Sequence, residues 1–298
     1  AEPVFIDTDK NYHIDLDDLK LKARNSEAKF LLLSHMRGHI VNMDNLMEIC
    51  KKNDIKLIED CAHTMGAKWK NIKSGNFGIV SAFSSQTYKH INSGEGGFIT
   101  TNNDFIAAKS IILSGSYMLY EKNGLIPDKE IFEKVKYTTP NLSGRMDNLR
   151  ASILRPQLPL IDKNVTRWNK LYDLIYKRLS SSGYIDLPLR VSEEFYVGSS
   201  IQFRIKLKPS KIPKFLASCF KRGVDLKWFG NKYPIGFTSR YDSWRYFDEI
   251  QTLPKTIKIL SNTIDMRIPL TFNLNDCKQI SDIILENNNC KLLFYRYY

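Results

Sequence analysis

Short apolar segments that alternate with helical patterns constrain the fold of this chain more than any other feature. The predicted strands are Pro3–Asp7, Lys29–Ser34, Ile55–Glu59, Ile79–Phe83 and Gly97–Thr101. Between two of them, Met43–Lys51 carries apolar residues at helical spacing, behind Asn42 as a candidate N-cap. Strands that alternate with helices predict a mainly parallel sheet covered on both faces. The continuous apolar run of Lys29–Ser34 is typical of a strand buried on both sides.

The second half of the chain has a different pattern. After a stretch rich in glycine and proline, residues 165–179 show the spacing of a long amphipathic helix. An alternating strand, Ser200–Leu207, and a helix, Ile212–Lys221, follow. We therefore predict an α/β fold in which residues 1–162 form a large domain and residues 163–298 form a smaller α+β domain.

Composition narrows the class of protein. The chain has 298 residues, 43% of them hydrophobic, and no apolar run long enough to cross a bilayer. Its net charge of +12 suits a phosphorylated ligand, but the lysines are dispersed, so a solvated surface is expected and nucleic acid is not. Five cysteines without C-x-x-C spacing argue against a disulfide framework or a metal site. We expect a cytoplasmic protein without a membrane partner.

Polar side chains lie at the ends of three of the predicted strands or just beyond them. They are Ser34 with His35, Asp60 with His63, and Ser84 with Lys89. Ligands of open parallel sheets bind outside the carboxyl ends of the strands, so neighbouring strands would bring these groups into one crevice. The set suits pyridoxal 5'-phosphate (PLP), which needs a lysine for its aldehyde, a carboxylate for its ring nitrogen and donors for its phosphate. Alone, Lys89, Ser84 and His63 would more often be structural, and Asp60 could equally be a cap or turn residue, so the hypothesis depends on their joint spacing.

The segment from Ile58 to Thr101 closely resembles one family. It contains, in order, a strand ending in Glu-Asp, then A-H-x-x-G, G-x-x-G, F-S, a lysine and G-E-G-G. This is the pattern of the DegT/StrS group of sugar aminotransferases, which have the fold-type-I aspartate-aminotransferase fold. Weaker resemblance runs from Pro3 to the C-terminus. The resemblance implies a PLP-dependent enzyme with a large α/β domain and a smaller C-terminal domain.

The resemblance also implies roles for individual residues. Asp60 would pair with the pyridine nitrogen of PLP, and His63 would lie near its phenolic oxygen. Ser84 would bind the phosphate, and Lys89 would form the imine and move protons. The group also contains sugar dehydratases, which have histidine in place of the lysine. Because position 89 holds the lysine, with His90 after it, the resemblance favours transamination.

The sequence differs from the family pattern in two places, and each difference leads to a further expectation. Family members have a segment before the counterpart of Pro3, with a Ser-Gly-Thr phosphate-binding turn and an aromatic residue that stacks on PLP. The resemblance therefore implies that the N-terminal part of the large domain is missing. The family's Asn-x-Arg-Met motif, which reaches the phosphate of a neighbouring subunit, corresponds to Asn141–Met146. Either Ser143 replaces its asparagine or Asn141 serves from a shifted position, and the motif implies a homodimer.

The implied activity is transfer of an amino group from glutamate or glutamine to a keto-sugar or a keto-cyclitol in sugar and polysaccharide biosynthesis. We expect the sugar to be nucleotide-linked. Two alternatives stay open. One is a PLP-dependent sugar dehydratase, against which Lys89 argues. The other is a truncated, inactive paralogue that acts as a binding or partner subunit, and the missing N-terminal segment argues for it.

Overall fold

The structure of the protein is a computed structural model that describes residues 2–115, 126–234, 241–243 and 251–288. The chain divides into two compact units. The first unit comprises residues 23–163 and 193–196, and the second comprises residues 1–22, 164–192 and 197–298. The division into domains at residue 162 stays a prediction, and the compact units differ from it chiefly because residues 1–22 group with the C-terminal half.

The helices and strands of the described residues are numbered in chain order. The α-helices are α1 Leu16–Asn25, α2 Met43–Lys52, α3 Asp104–Leu113, α4 Lys129–Val135, α5 Asn148–Leu154, α6 Ile161–Leu179, α7 Ile212–Lys221, α8 Pro254–Leu260 and α9 Leu274–Asn288. The strands are β1 Phe30–Ser34, β2 Lys56–Asp60, β3 Lys68–Trp69, β4 Ile72–Lys73, β5 Val80–Ser84, β6 Gly97–Thr100, β7 Ile185–Asp186, β8 Glu194–Phe195, β9 Ser200–Ile205, β10 Lys227–Trp228 and β11 Thr263–Arg267. None of these helices combines the length and the apolar character needed to cross a bilayer.

The first unit contains a sheet with strand order β1-β2-β5-β6. β1 pairs with β2 and β2 pairs with β5 in parallel, whereas β6 runs antiparallel to β5. The predicted α/β fold with a mainly parallel sheet is confirmed. A parallel pair needs a crossover connection, and α2 lies in the one between β1 and β2. As predicted, Asn42 caps this helix, because its side chain accepts a hydrogen bond from the amide of Asn45 at 3.0 Å.

β1 is not buried on both faces, so that prediction is wrong. Leu31 and Leu33 are buried, but Phe30 and Leu32 are 62% and 69% exposed. The strand register places Ile99 of β6 on the same face, where it is 59% exposed. An unbroken apolar run does not reveal whether both faces of a strand are covered, because the same residues serve either case. In the described part of the chain, one face of this sheet is an open apolar surface.

The second unit has an α+β arrangement. Strands β10, β11, β9 and β7 form an antiparallel sheet in that order. Ile201, Phe203 and Ile205 of β9 are fully buried. The predicted amphipathic helix is confirmed as α6, whose buried residues from Val165 to Leu179 recur at helical spacing. Helix α7 occurs at its predicted bounds and contacts α9.

Pro3–Asp7 forms no strand, contrary to the prediction. Its main-chain groups bond with a side chain instead: the amide of Phe5 donates to Oε1 of Gln251 at 2.9 Å, and Nε2 of Gln251 donates to the carbonyl of Pro3 at 2.6 Å. Pro3 also lacks the N–H that a strand would donate. The apolar pattern of this segment therefore does not lead to sheet pairing.

Candidate active site

Asp60 ends β2 at the carboxyl edge of the first unit's sheet. Its Oδ2 accepts a hydrogen bond from the hydroxyl of Ser34 at 2.9 Å, and its Oδ1 accepts one from the amide of Ala62 at 3.0 Å. The side chain is partly exposed. A carboxylate has about four acceptor positions on its two oxygens, so Asp60 keeps the capacity to accept from a ligand.

Ser84 lies at the same edge and on the same face as Asp60. Asp60 pairs with Ala82 in the parallel register, and Ser84 follows two residues later on β5. Alternate residues of a strand share a face. Oγ of Ser84 accepts a hydrogen bond from the amide of Gln86 at 3.2 Å, so its own proton can be donated to an anion. The sheet thus brings a carboxylate and a hydroxyl donor to one edge.

Lys89 lies half-buried in the loop that joins β5 to β6. The two arms of this loop are bonded to each other. The amide of Ser85 donates to the carbonyl of Gly96 at 2.9 Å, and the amide of Thr87 donates to the carbonyl of Gly94 at 2.8 Å. The backbone on the β5 side of Lys89 is therefore tied to the opposite arm, just beyond the sheet edge that carries Ser84.

The conformation of this loop explains why its G-E-G-G motif contains glycines. Gly94 and Gly96 have φ values of +88° and +133°, a region that other residues disfavour. A Cβ at Gly97 would lie 2.6 Å from the carbonyl oxygen of Phe83 on the neighbouring strand. The motif therefore gives the loop its conformation, and through it the place of Lys89.

Two contacts that the sequence analysis missed hold the β6 side of the loop. Ile91 is fully buried in a cluster with Met65 and Leu154. Gln157 bonds twice to Asn92: its Oε1 accepts from the amide of Asn92 at 3.1 Å, and its Nε2 donates to the carbonyl at 2.8 Å. These two residues are 65 positions apart, so no local pattern indicates the contact.

His63 follows β2, and its Nδ1 accepts a hydrogen bond from the amide of Arg37 at 3.2 Å. A neutral imidazole that accepts at Nδ1 carries its proton on Nε2. In this tautomer Nε2 is the ring nitrogen that can act as a donor.

Glu59 lies on the opposite, buried face of β2. Its Oε2 is 3.0 Å from Nε2 of His35 and accepts from the amide of Gly75 at 2.9 Å, while its Oε1 accepts from the amides of Phe77 and Gly78 at 2.8 Å each. Burial would raise the pKa of the Glu59 carboxyl, but the hydrogen bonds from His35, Gly78 and Gly75 outweigh it and hold the pKa below its ordinary value of 4.5. The G-x-x-G motif therefore supplies amide donors to a buried carboxylate.

His35, Glu59 and Cys61 lie close enough together to raise the question of a metal ion. Both oxygens of Glu59 are already saturated by hydrogen bonds. Burial raises the pKa of the Cys61 thiol to about 12, so a thiolate ligand is disfavoured. We therefore assign this cluster a structural role, in which it ties the loop at residues 74–78 and the end of β1 to β2.

Glu59→Gln should lower the free energy of unfolding at about pH 7 by roughly 2–4 kcal/mol, because the amide NH2 group would face backbone donors. Because the folded-state pKa of Glu59 is below 4.5, the carboxylate stabilises the protein fully above that value, and the stabilisation is lost as the pH falls through the folded-state pKa. The difference in the free energy of unfolding between the variant and the wild type should therefore become smaller in acid. Urea unfolding at several pH values measures it.

Glu48→Gln is the matched control for this prediction, since Glu48 is an exposed α2 residue paired with Lys52. It should change the stability by less than about 0.5 kcal/mol. Equal stability of the Glu59→Gln and Glu48→Gln variants at neutral pH would show that the buried network contributes nothing.

Asn141 and Ser143 are exposed in the segment that precedes α5. Nearby, Nη1 of Arg145 donates to the carbonyl of Gly115 at 2.6 Å, and its amide donates to the carbonyl of Ser114 at 3.1 Å. The segment is thus held by the end of α3, and Asn141 and Ser143 lie on the surface of the described structure.

Comparison with known proteins decides the family. A model of the DegT/DnrJ/EryC1/StrS aminotransferase family matches residues 1–285. The chain belongs to this family. The crystal structure of the aminotransferase TlmJ from Streptoalloteichus hindustanus matches it with a TM-score of 0.79 at 16% identity, over 98% of this chain and 74% of that one. The predicted family and its fold are confirmed.

Individual relatives of this DegT-family chain cover it less fully. GDP-perosamine synthase from Caulobacter vibrioides is 31% identical over 184 residues, which are 61% of this chain and 46% of that protein. The chain spans about half the length of three GDP-perosamine synthases that it matches, and 29% of the length of a Methanocaldococcus jannaschii relative. The structure of the E. coli GDP-4-keto-6-deoxy-D-mannose-3-dehydratase with bound hydrated PLP has a TM-score of 0.75 at 21% identity, over 95% of this chain and 73% of that one.

The residues at the carboxyl edge of the sheet fit PLP, the cofactor of the family. Asp60 has acceptor capacity for a ring N–H, and the imidazole of His63, whose Nδ1 accepts from Arg37, is of a type that can donate to an oxygen through Nε2. Ser84 has a hydroxyl proton to donate, and Lys89 provides an amine just beyond the same edge. The chemistry of this donor set corresponds to the needs of the cofactor's ring nitrogen, phenolic oxygen, phosphate and aldehyde.

Proposed function

We propose that the protein, with PLP bound, transfers an amino group from glutamate or glutamine to a nucleotide-linked keto-sugar or to a keto-cyclitol. The observation that carries the proposal is the placement of Asp60 and Ser84 at one sheet edge, with Lys89 just beyond it, in a DegT-family chain. The names of relatives support both acceptor classes: GDP-perosamine synthase on one side, and L-glutamine:scyllo-inosose aminotransferase of Streptomyces griseus on the other.

Each residue would have a distinct task. Bound PLP supplies an electron sink for the charge that develops at the donor's α-carbon. Asp60 would keep the ring nitrogen protonated, because its two protein partners are neutral donors and leave its negative charge in place. Ser84 and His63 would donate to the phosphate and the phenolic oxygen. Lys89 would hold the cofactor through its amine until the amine of the donor displaced it, and the released Lys89 amine would then take a proton from the donor's α-carbon.

Lysine at position 89 favours amino transfer over the dehydratase alternative, because a histidine side chain has no primary amine to hold the cofactor covalently. The alternative of an inactive partner subunit predicts a chain that holds no PLP at all. The two alternatives therefore differ from the proposal in measurable ways.

A homodimer is part of the proposal. Ser143 or Asn141 would reach the phosphate in the neighbouring subunit, and the exposure of both residues on a segment held by α3 supports this. A cytoplasmic location is also proposed, and the buried thiols of Cys50, Cys61 and Cys277, none of which forms a disulfide in the described part of the chain, support a reducing compartment.

The decisive assay uses the PLP-loaded protein with [15N]glutamate or [15N]glutamine and two acceptors, a GDP-linked 4-keto-6-deoxy sugar and scyllo-inosose. Mass spectrometry should find 15N on one of the acceptors. A deoxygenated sugar without nitrogen would establish the dehydratase instead. A protein that neither binds PLP nor alters any substrate would favour the partner subunit.

A further inference from the structure

We propose that Ser34 is a positioning residue for Asp60, and that the buried pair of His35 and Glu59 fixes Ser34 in place. The inference rests on the proposed function, since it gives Asp60 the task of facing the ring nitrogen of PLP. The inference adds that Ser34, from the neighbouring strand β1, helps to orient Asp60 for this task.

The two hydrogen bonds of Asp60 restrain the whole carboxylate. One oxygen takes the hydroxyl of Ser34, from the neighbouring strand, and the other takes the amide of Ala62, from the chain that follows β2. With a single donor, the carboxylate could rotate about its last torsion, which is broad for aspartate. With a donor on each oxygen, its plane is fixed, and a remaining acceptor position has a set direction.

Ser34 owes its own position to the residue that follows it. The amide of His35 donates to the carbonyl of Asp60 at 3.0 Å, and Nε2 of its ring lies 3.0 Å from Oε2 of Glu59. The side chains of His35 and Glu59 are 1% and 0% exposed. Backbone and ring together therefore tie the end of β1 to the end of β2, and Ser34 is carried with them.

The environment of Ser34 shows why its hydroxyl matters more than its bulk. Ser34 is exposed at the end of β1, so its side chain fills no space in the core. An exposed serine has water as an alternative partner, yet here its hydroxyl donates to a carboxylate, and hydrogen bonds to charged groups are the stronger ones. Replacing the hydroxyl should change the direction of Asp60 without changing the fold.

The test compares Ser34→Val with Ser34→Thr, which have the same shape and differ by one hydroxyl group. The dissociation constant of PLP is measured by equilibrium dialysis for each variant. We expect Ser34→Val to raise it about tenfold and Ser34→Thr to leave it within about twofold of the wild type. Both variants should unfold at the same urea concentration as each other.

A second ligand separates positioning from general damage. An analogue of PLP with C–H in place of the ring nitrogen offers Asp60 no N–H donor, so the Ser34→Val and Ser34→Thr variants should bind it equally well. Equal affinity of the two variants for PLP itself would overturn the inference, and so would a Ser34→Val defect of the same size for both ligands. Wild-type protein that does not bind PLP would overturn the proposed function first.

Discussion

Lys89→Ala should slow the exchange of the α-hydrogen of glutamate with solvent by about 10³-fold or more in the PLP-loaded protein, because it removes the proposed base for this proton. Proton NMR in D2O follows the exchange without any keto-sugar, so the test does not depend on knowing the acceptor. The effect should be large because the same amine is also the proposed attachment point of the cofactor. Some PLP should stay bound through Asp60, His63 and Ser84, at reduced affinity.

Lys51→Ala is the control for this experiment, since Lys51 is an exposed lysine on α2. It should exchange the α-hydrogen at the wild-type rate. Exchange by Lys89→Ala at a rate comparable to that of Lys51→Ala would assign the base to another residue.

Asp60→Asn should slow the same exchange by roughly 10²–10³-fold and weaken PLP binding, because a neutral amide cannot keep the ring nitrogen protonated. Asparagine has nearly the shape of aspartate and retains an oxygen that can accept from Ser34 or Ala62. The loss should therefore reflect the missing charge rather than a change of fold, and circular dichroism should be unchanged.

The control for Asp60→Asn is Asp54→Asn, which removes the same charge from a side chain that is 77% exposed and paired with Lys56. It should leave the exchange rate within about twofold of the wild type. A near-normal rate for Asp60→Asn would mean that its carboxylate faces something other than the ring nitrogen.

Much of the fold could be predicted because local patterns determine it. The cap at Asn42 and the bounds of α7 depend on residues within one or two helical turns, and both are confirmed. The exposure of Phe30 and Leu32 could not be predicted, since an apolar run says nothing about which residues elsewhere in the chain cover it.

Some features of the candidate site could likewise be predicted from the sequence, and others could not. The order of Asp60, Ser84 and Lys89 along the chain is visible in the sequence, and parallel strands bring the first two to one edge. The bond from Ser34 to Asp60 depends on the strand register, and Glu59 meets amides 16 to 19 residues away. Contacts of this kind depend on tertiary structure, so the sequence analysis noted the residues but not their partners.

The central claim is that Lys89 holds PLP, and reduction with borohydride followed by mass spectrometry tests it most directly. Reduction makes the attachment permanent and blocks tryptic cleavage at the modified lysine. We expect one labelled tryptic peptide, residues 74–109, with an uncleaved Lys89 and the added mass of the pyridoxyl phosphate group. A label on any other lysine, or no label after incubation with excess PLP, would contradict the assignment of this site.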